Sequence, residues 1–252
     1  MTKQAILENL EDPYIASITV IGLVGIFIFL TLPYSKKRLT DNILPVLILF
    51  LVTFYENFGG YLIEDKAFNQ KIHEWLFDVP FQGWNLWSFN LFYSQLSKLV
   101  FLFYLLDQVK GKKLRLVIHG LWISFSLVCI VLQWSGLEPL YDFQPIISGI
   151  GTAWVIVACC LFFIDLITNP HFLEQDLMKL WSFWFVTLTL FQSSLVFLSD
   201  ISFEYLALNN KPLYFSLISI SQFLYLAIML SIVVKFVLES ISLNRQNLTK
   251  NV

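Results

Sequence analysis

The chain has 252 residues, of which 57% are hydrophobic, 17% aromatic and only 13% charged, with a formal net charge of −2. An ordinary soluble domain carries roughly a quarter charged residues, so this balance points away from the soluble classes. The small net charge, and the lack of a basic cluster interleaved with aromatics, exclude a nucleic-acid partner.

The first fourteen residues, MTKQAILENLEDPY, are acidic at Glu8, Glu11 and Asp12 and carry one lysine, Lys3. A cleaved leader needs a basic segment before its apolar stretch and small residues after it. Neither is present, so the first apolar run is expected to remain as a membrane helix. Seven runs then follow, at 15–34, 43–63, 84–106, 114–134, 146–168, 178–199 and 212–238. At about 1.5 Å per residue each covers the roughly 30 Å hydrocarbon core of a bilayer. Turn signals separate them: Pro33, Gly111, Pro139, Asn169-Pro170 and Asn209-Asn210 before Pro212. The expected fold class is therefore all-α, a polytopic membrane protein built as one seven-transmembrane-helix bundle over residues 1–252. The connection 64–83 is expected to lie along the surface, with Trp75, Phe77, Phe81, Trp84 and Trp87 at headgroup level. No internal repeat or matched pair of broken helices, as in many transporters, is visible.

Positive charge is retained on the cytoplasmic side. One side of the seven-span arrangement holds eleven lysines and arginines, among them Lys36, Lys37, Arg38, Lys110, Lys112, Lys113 and Arg115, and the other holds four. Acidic residues run the opposite way, eleven against six. The expected orientation is N-terminus outside and C-terminus cytoplasmic, in a cell membrane such as a bacterial inner membrane. The cysteines Cys129, Cys159 and Cys160 all lie inside apolar runs and imply packing, not a disulfide framework.

Two ionisable side chains fall inside apolar runs, Glu56 in the second and Lys98 in the third. A charge at mid-bilayer is costly and usually faces the bundle interior with a partner. The two differ in depth by about five residues, or about 8 Å, and side chains lean toward the N-terminus of their own helix. In antiparallel neighbours these two lean toward each other, so an intramembrane ion pair is expected, as a strut or as a working site. Further polar groups recur at similar depth: Asn90 and Tyr93 in the third run, Ser126 in the fourth, Thr152 in the fifth, Gln192 in the sixth, and Gln222 with Tyr225 in the seventh. They converge into a polar cavity if their faces turn inward, and otherwise serve ordinary interhelical hydrogen bonding. The stripe Ser148-Gly149-Gly151-Thr152 reads as close helix packing.

Enzyme signatures are missing. His73, His119 and His171 are too scattered for a metal site, and no metalloprotease, serine-hydrolase or phosphate-loop pattern occurs. Neither a metal nor a cofactor is implied. A retinal-binding rhodopsin needs a lysine midway along its seventh helix, where this chain has Gln222 and Tyr225. The second run carries Tyr55, Glu56, Gly59, Tyr61 and Leu62 as Y-E-x-x-G-x-Y-L, and the third opens with N-L-W-S-F-N-L-F-Y. In these segments the chain resembles small seven-helix bacterial membrane proteins, some of them associated with sensor kinases. The resemblance implies a sensory or regulatory role and no catalytic residue.

The expected function is a receptor-like membrane sensor that binds a small molecule or lipid in an outward-facing polar cavity and signals through a protein partner on the cytoplasmic side. The alternatives are a small transporter or proton-coupled carrier using Glu56 and Lys98, and a structural subunit of a larger membrane complex. The charge count predicts that a reporter fused after Val252 is cytoplasmic and one inserted at Asn69 is not. Matching compartments for the two fusions would rule out the seven-helix arrangement.

Overall fold

The computed structural model describes residues 9–173 and 175–250. Seven helices are long and apolar enough to cross a membrane: α1 (Pro13–Thr31), α2 (Thr40–Glu64), α3 (Phe89–Gln108), α4 (Lys112–Trp134), α5 (Pro145–Thr168), α6 (Trp181–Ile201) and α7 (Lys211–Lys250), the last apolar as far as Leu243. No strand occurs among the described residues.

Local chemistry sets the boundaries. Asp12 caps α1 by accepting from the Tyr14 and Ile15 amides, with Pro13 in the first turn. Pro33 follows the end of α1. The third span begins five residues later than expected. Gly83 takes a φ of 94° and the Asn85 side chain accepts from the Trp87 amide, so the chain is still turning through 83–87. The seventh helix runs twelve residues beyond the expected 238, because no proline or glycine interrupts 239–250. The 64–83 connection contains a helix, Lys66–Leu76, capped by Asp65, whose Oδ1 accepts from the Phe68 amide. Its Asn69 and His73 face is buried while Trp75 is exposed.

Each helix packs on its sequence neighbours, and α7 returns to α1, which closes a ring. The third helix also packs on α5 and sits innermost with it; α1 and α4 are the most peripheral. Their outward faces, with Val20, Leu23, Phe27 and Leu30 on α1 and Leu127, Ile130 and Val131 on α4, are exposed apolar surface that fits lipid. Since lipid is as apolar as such side chains, helix association rests on close packing and on polar ties. The closest approach involves glycine. A Cβ at Gly22 would lie 1.9 Å from Thr53 Oγ1, and one at Gly25 would lie 2.5 Å from Leu49 and 2.9 Å from Val233. The Thr53 hydroxyl is itself fixed by a 2.8 Å bond to the Leu49 carbonyl.

At the end of the bundle opposite the N-terminus, Lys235 is the main tie. It lies 3.5 Å from Glu239, donates to Asn42 Oδ1 and the Asp41 carbonyl, and covers the Trp181 ring at 5.0 Å. Asn42 in turn donates to Glu239 at 2.7 Å, so α2, α6 and α7 meet there. Asp165 accepts from the Lys110 and Gly111 amides at 2.7 and 3.0 Å and holds the α3–α4 turn.

The glycine contacts predict that Gly22→Ala destabilises the purified protein by about 1–3 kcal/mol, the usual cost of overpacking. Gly120→Ala, where nothing lies within 4 Å, should stay within about 0.5 kcal/mol. Thermal unfolding in lipid checks both, and equal effects would show that the α1–α2 contact is not close.

Candidate functional site

The expected polar layer is largely assembled, at the end of the bundle that carries the N-terminal segment. A cavity of about 440 Å³ lies between α1, α2, α3, α5, α6 and α7. Glu56, Tyr93, Gln192, Gln222 and Tyr225, five of the nine residues singled out in the sequence, line it. A narrower extension of about 80 Å³ shares Tyr93, Gln192 and Tyr225 with it and reaches Lys98, Thr152 and Phe101. Ser126 lines neither space, and its hydroxyl donates to the Trp122 carbonyl of its own helix at 2.9 Å. Gln192 is buried and Gln222 is exposed, although both line the same space.

The expected Glu56–Lys98 ion pair does not form. The Tyr14 hydroxyl on α1 donates to Glu56 at 3.2 Å. Lys98 donates instead to the Ser148 carbonyl at 2.9 Å and to Ser148 Oγ at 3.2 Å, and Ser148 Oγ donates to Asp200 at 3.4 Å. The reason is direction around the helix, not depth. The lysine stem crosses the bare face of Gly151 on α5, where a Cβ would stand 2.7 Å from Lys98 Cδ. Helix α3 thus turns Lys98 toward α5, while α2 turns Glu56 toward α1. The Ser148-Gly149-Gly151-Thr152 stripe is packing, as expected, but it also supplies the channel and the acceptors for the buried cation.

The start of α3 contributes to this placement. Residues Phe89–Ser97 form a π-helix, closed by bonds five residues apart. Five-residue bonding brings Tyr93 and Lys98 toward one face, and Lys98 Nζ lies 5.8 Å from the Tyr93 ring centroid. Single π turns inside α-helices occur frequently at functional sites. Tyr93 in turn packs edge-on against Tyr55, whose hydroxyl is 2.6 Å from that of Tyr225. A tyrosine cluster therefore joins α2, α3 and α7 along the cavity wall.

Asn90 belongs elsewhere. Its amide donates to the Leu140 carbonyl at 2.8 Å and the Asp142 carbonyl at 2.5 Å. It anchors the α4–α5 loop on the start of α3 and does not line the cavity. Nearby, Glu138 accepts from the Ile146 and Ile147 amides at 2.6 and 2.8 Å and so caps α5 from outside the helix. Gln144 and Gln95 extend this buried chain back to α3.

Sequence reasoning missed Tyr14, Ser148, Asp200 and Tyr214, all on the cavity wall. For Asp200 a signal existed. Gln192, Val196 and Asp200 follow at four-residue steps along one helical face, and α6 runs to Ile201, two residues past the expected end. The expected run, ending at 199, leaves Asp200 in the connection that follows. Tyr214 stands on the face of Ile218, Ser221, Gln222 and Tyr225 by the same spacing rule.

Chemically, the wall offers two carboxylates, several tyrosine hydroxyls, two amides and serine hydroxyls, with one ammonium at the floor. It can bind and orient a small polar or amphipathic molecule. No group of three or more histidine, cysteine or carboxylate side chains suited to a metal ion occurs among the described residues. No family model, curated protein or solved structure matches this chain.

Proposed function

We propose that the chain is a receptor-like membrane sensor: the cavity takes up a small molecule or lipid from outside the cell, and the opposite, basic end passes the state of the bundle to a protein partner. The observation that carries this reading is that the polar cavity is blind. It starts at the N-terminal end of the bundle and stops at Phe101, Phe185 and Ile228. Beyond them Leu49, Leu102, Tyr104, Leu105, Ile232 and Phe236 fill the interior at no more than 1% exposure. A pit walled by six helices and closed by close-packed side chains suits binding, because occupancy can bias how the helices sit against one another. The charge count supports an outside N-terminus and hence an outward opening. The basic residues Lys36, Lys37, Lys110, Lys112 and Lys113 at the other end supply a surface for an acidic partner face.

The reading predicts a bound molecule. Protein purified in native lipid should release a small molecule or lipid on denaturation, detected by mass spectrometry. Gln192→Leu and Tyr225→Leu should lose it while still folding. Co-purification of nothing beyond bulk lipid, or unchanged retention in both variants, would overturn the proposal.

A second reading, a carrier, draws on the separate placement of Glu56 and Lys98, which leaves two ionisable groups on one cavity system without an ion pair between them. Glu56→Gln and Lys98→Met share no hydrogen-bond partner, so their destabilisations should add within about 0.5 kcal/mol. Recovery of stability in the double variant would show that the two charges meet after all. In sealed proteoliposomes, accumulation of the extracted molecule inside, abolished by Glu56→Gln, would replace the sensor reading with the carrier one.

A further inference from the structure

A second cavity, of about 510 Å³, lies at the N-terminal end of the bundle, under the Lys66–Leu76 helix and the 83–89 segment. Asn69, Asn85 and Ser88 on its wall are 6%, 3% and 2% exposed. Even so, Asn69 Oδ1, Asn85 Nδ2 and Ser88 Oγ have no hydrogen-bond partner. His73 Nδ1 and Trp87 Nε1, on the same stretch of chain, are in the same state. Of the eight such side-chain atoms among the described residues, five therefore fall within 69–88. Folded proteins leave few buried polar groups unpaired, and those that persist together call for a functional reason.

The unpaired atoms of these three wall residues, themselves closed off from the space, are an acceptor, a donor and a hydroxyl that can do either, and a ligand meets them as the side chains turn toward it. That set matches hydroxyl groups, each of which both donates and accepts. The side-chain amide torsion of asparagine is broad, so a rotation of the amide presents either atom to the cavity. Trp84, 56% exposed, lines the same space. Its flat ring offers an apolar surface for the C–H face of a sugar ring, with weak C–H contacts to the indole. Asp12, Glu56 and Glu64 on the remaining wall provide acceptors for further hydroxyls. An anionic ligand would meet these carboxylates with Lys66 as the one cationic residue on the described wall.

We propose that this cavity is a binding site for a small, neutral, hydroxyl-rich molecule of the sugar class, either free or as the headgroup of a glycolipid. The site uses residues that do not line the inter-helix cavity, apart from Glu56 and Phe89 on the shared wall, and it stands independently of the sensor reading.

The test uses the full chain in phospholipid nanodiscs prepared without glycoside detergents. Calorimetric titration is run with glucose, galactose and N-acetylglucosamine, and in parallel with discs containing monoglucosyl diacylglycerol. Saturable binding of a free sugar supports the site with a soluble ligand, and binding confined to the glycolipid supports it with a lipid-borne one. Ser88→Ala should weaken binding by about three- to tenfold, the worth of one hydrogen bond. Its unfolding temperature should stay the same or rise, because the lost hydroxyl has no partner in the free protein. Trp84→Ala should weaken binding further, and Gln192→Leu, in the other cavity, should leave it unchanged. Absence of saturable binding with all four probes overturns the proposal, as does binding that Ser88→Ala and Trp84→Ala leave intact. Binding lost in Gln192→Leu would move the sugar to the inter-helix cavity, which overturns this site without touching the sensor reading.

Discussion

An apolar chain in an apolar surround has no hydrophobic gain from bringing its helices together, and much of this structure follows from that constraint. The backbone must satisfy its own hydrogen bonds, which leaves helices as the element available to these sequences. Holding them together then falls to small residues and to polar side chains. Gly22 and Gly25 let α1 lie against α2 and α7, and Gly151 lets α3 and α5 close around a lysine. Polar ties occupy the two ends: Lys235 with Glu239 and Asn42 at one, and Glu138, Gln144 and Gln95 at the other. Between these ends the ring of helices leaves a polar pit.

Lys98 shows how packing and candidate function share one residue. A buried ammonium with no acceptor would be expensive in this environment. It is accommodated because α5 offers a backbone carbonyl and a serine one turn before a glycine gap, with Asp200 beyond the serine. The same contacts place the ammonium at the floor of the cavity. A change at Ser148 or Gly151 would thus alter the helix contact and the site together.

Glu56 occupies a comparable position on the other side. It lines both the inter-helix cavity and the cavity beneath the Lys66–Leu76 helix. Its bond to Tyr14 ties it to the first turn of α1.

The sequence by itself determined the number of membrane-length helices and most of their limits, because apolar length and turn residues are local properties. Residue counting along the helices also singled out Glu56, Tyr93, Gln192, Gln222 and Tyr225, which line one cavity. What it did not determine is direction around each helix. The Glu56–Lys98 pair was reasonable by depth and failed by azimuth, because a π-helical turn at Phe89–Ser97 and a glycine gap at Gly151 steer Lys98 to α5. Asn90 looked like a cavity residue and proved to be a loop anchor for the same reason. The unpartnered polar atoms of Asn69, Asn85 and Ser88 had no signal in the sequence at all. A missing hydrogen bond is a relation between distant segments, and only the tertiary structure decides it.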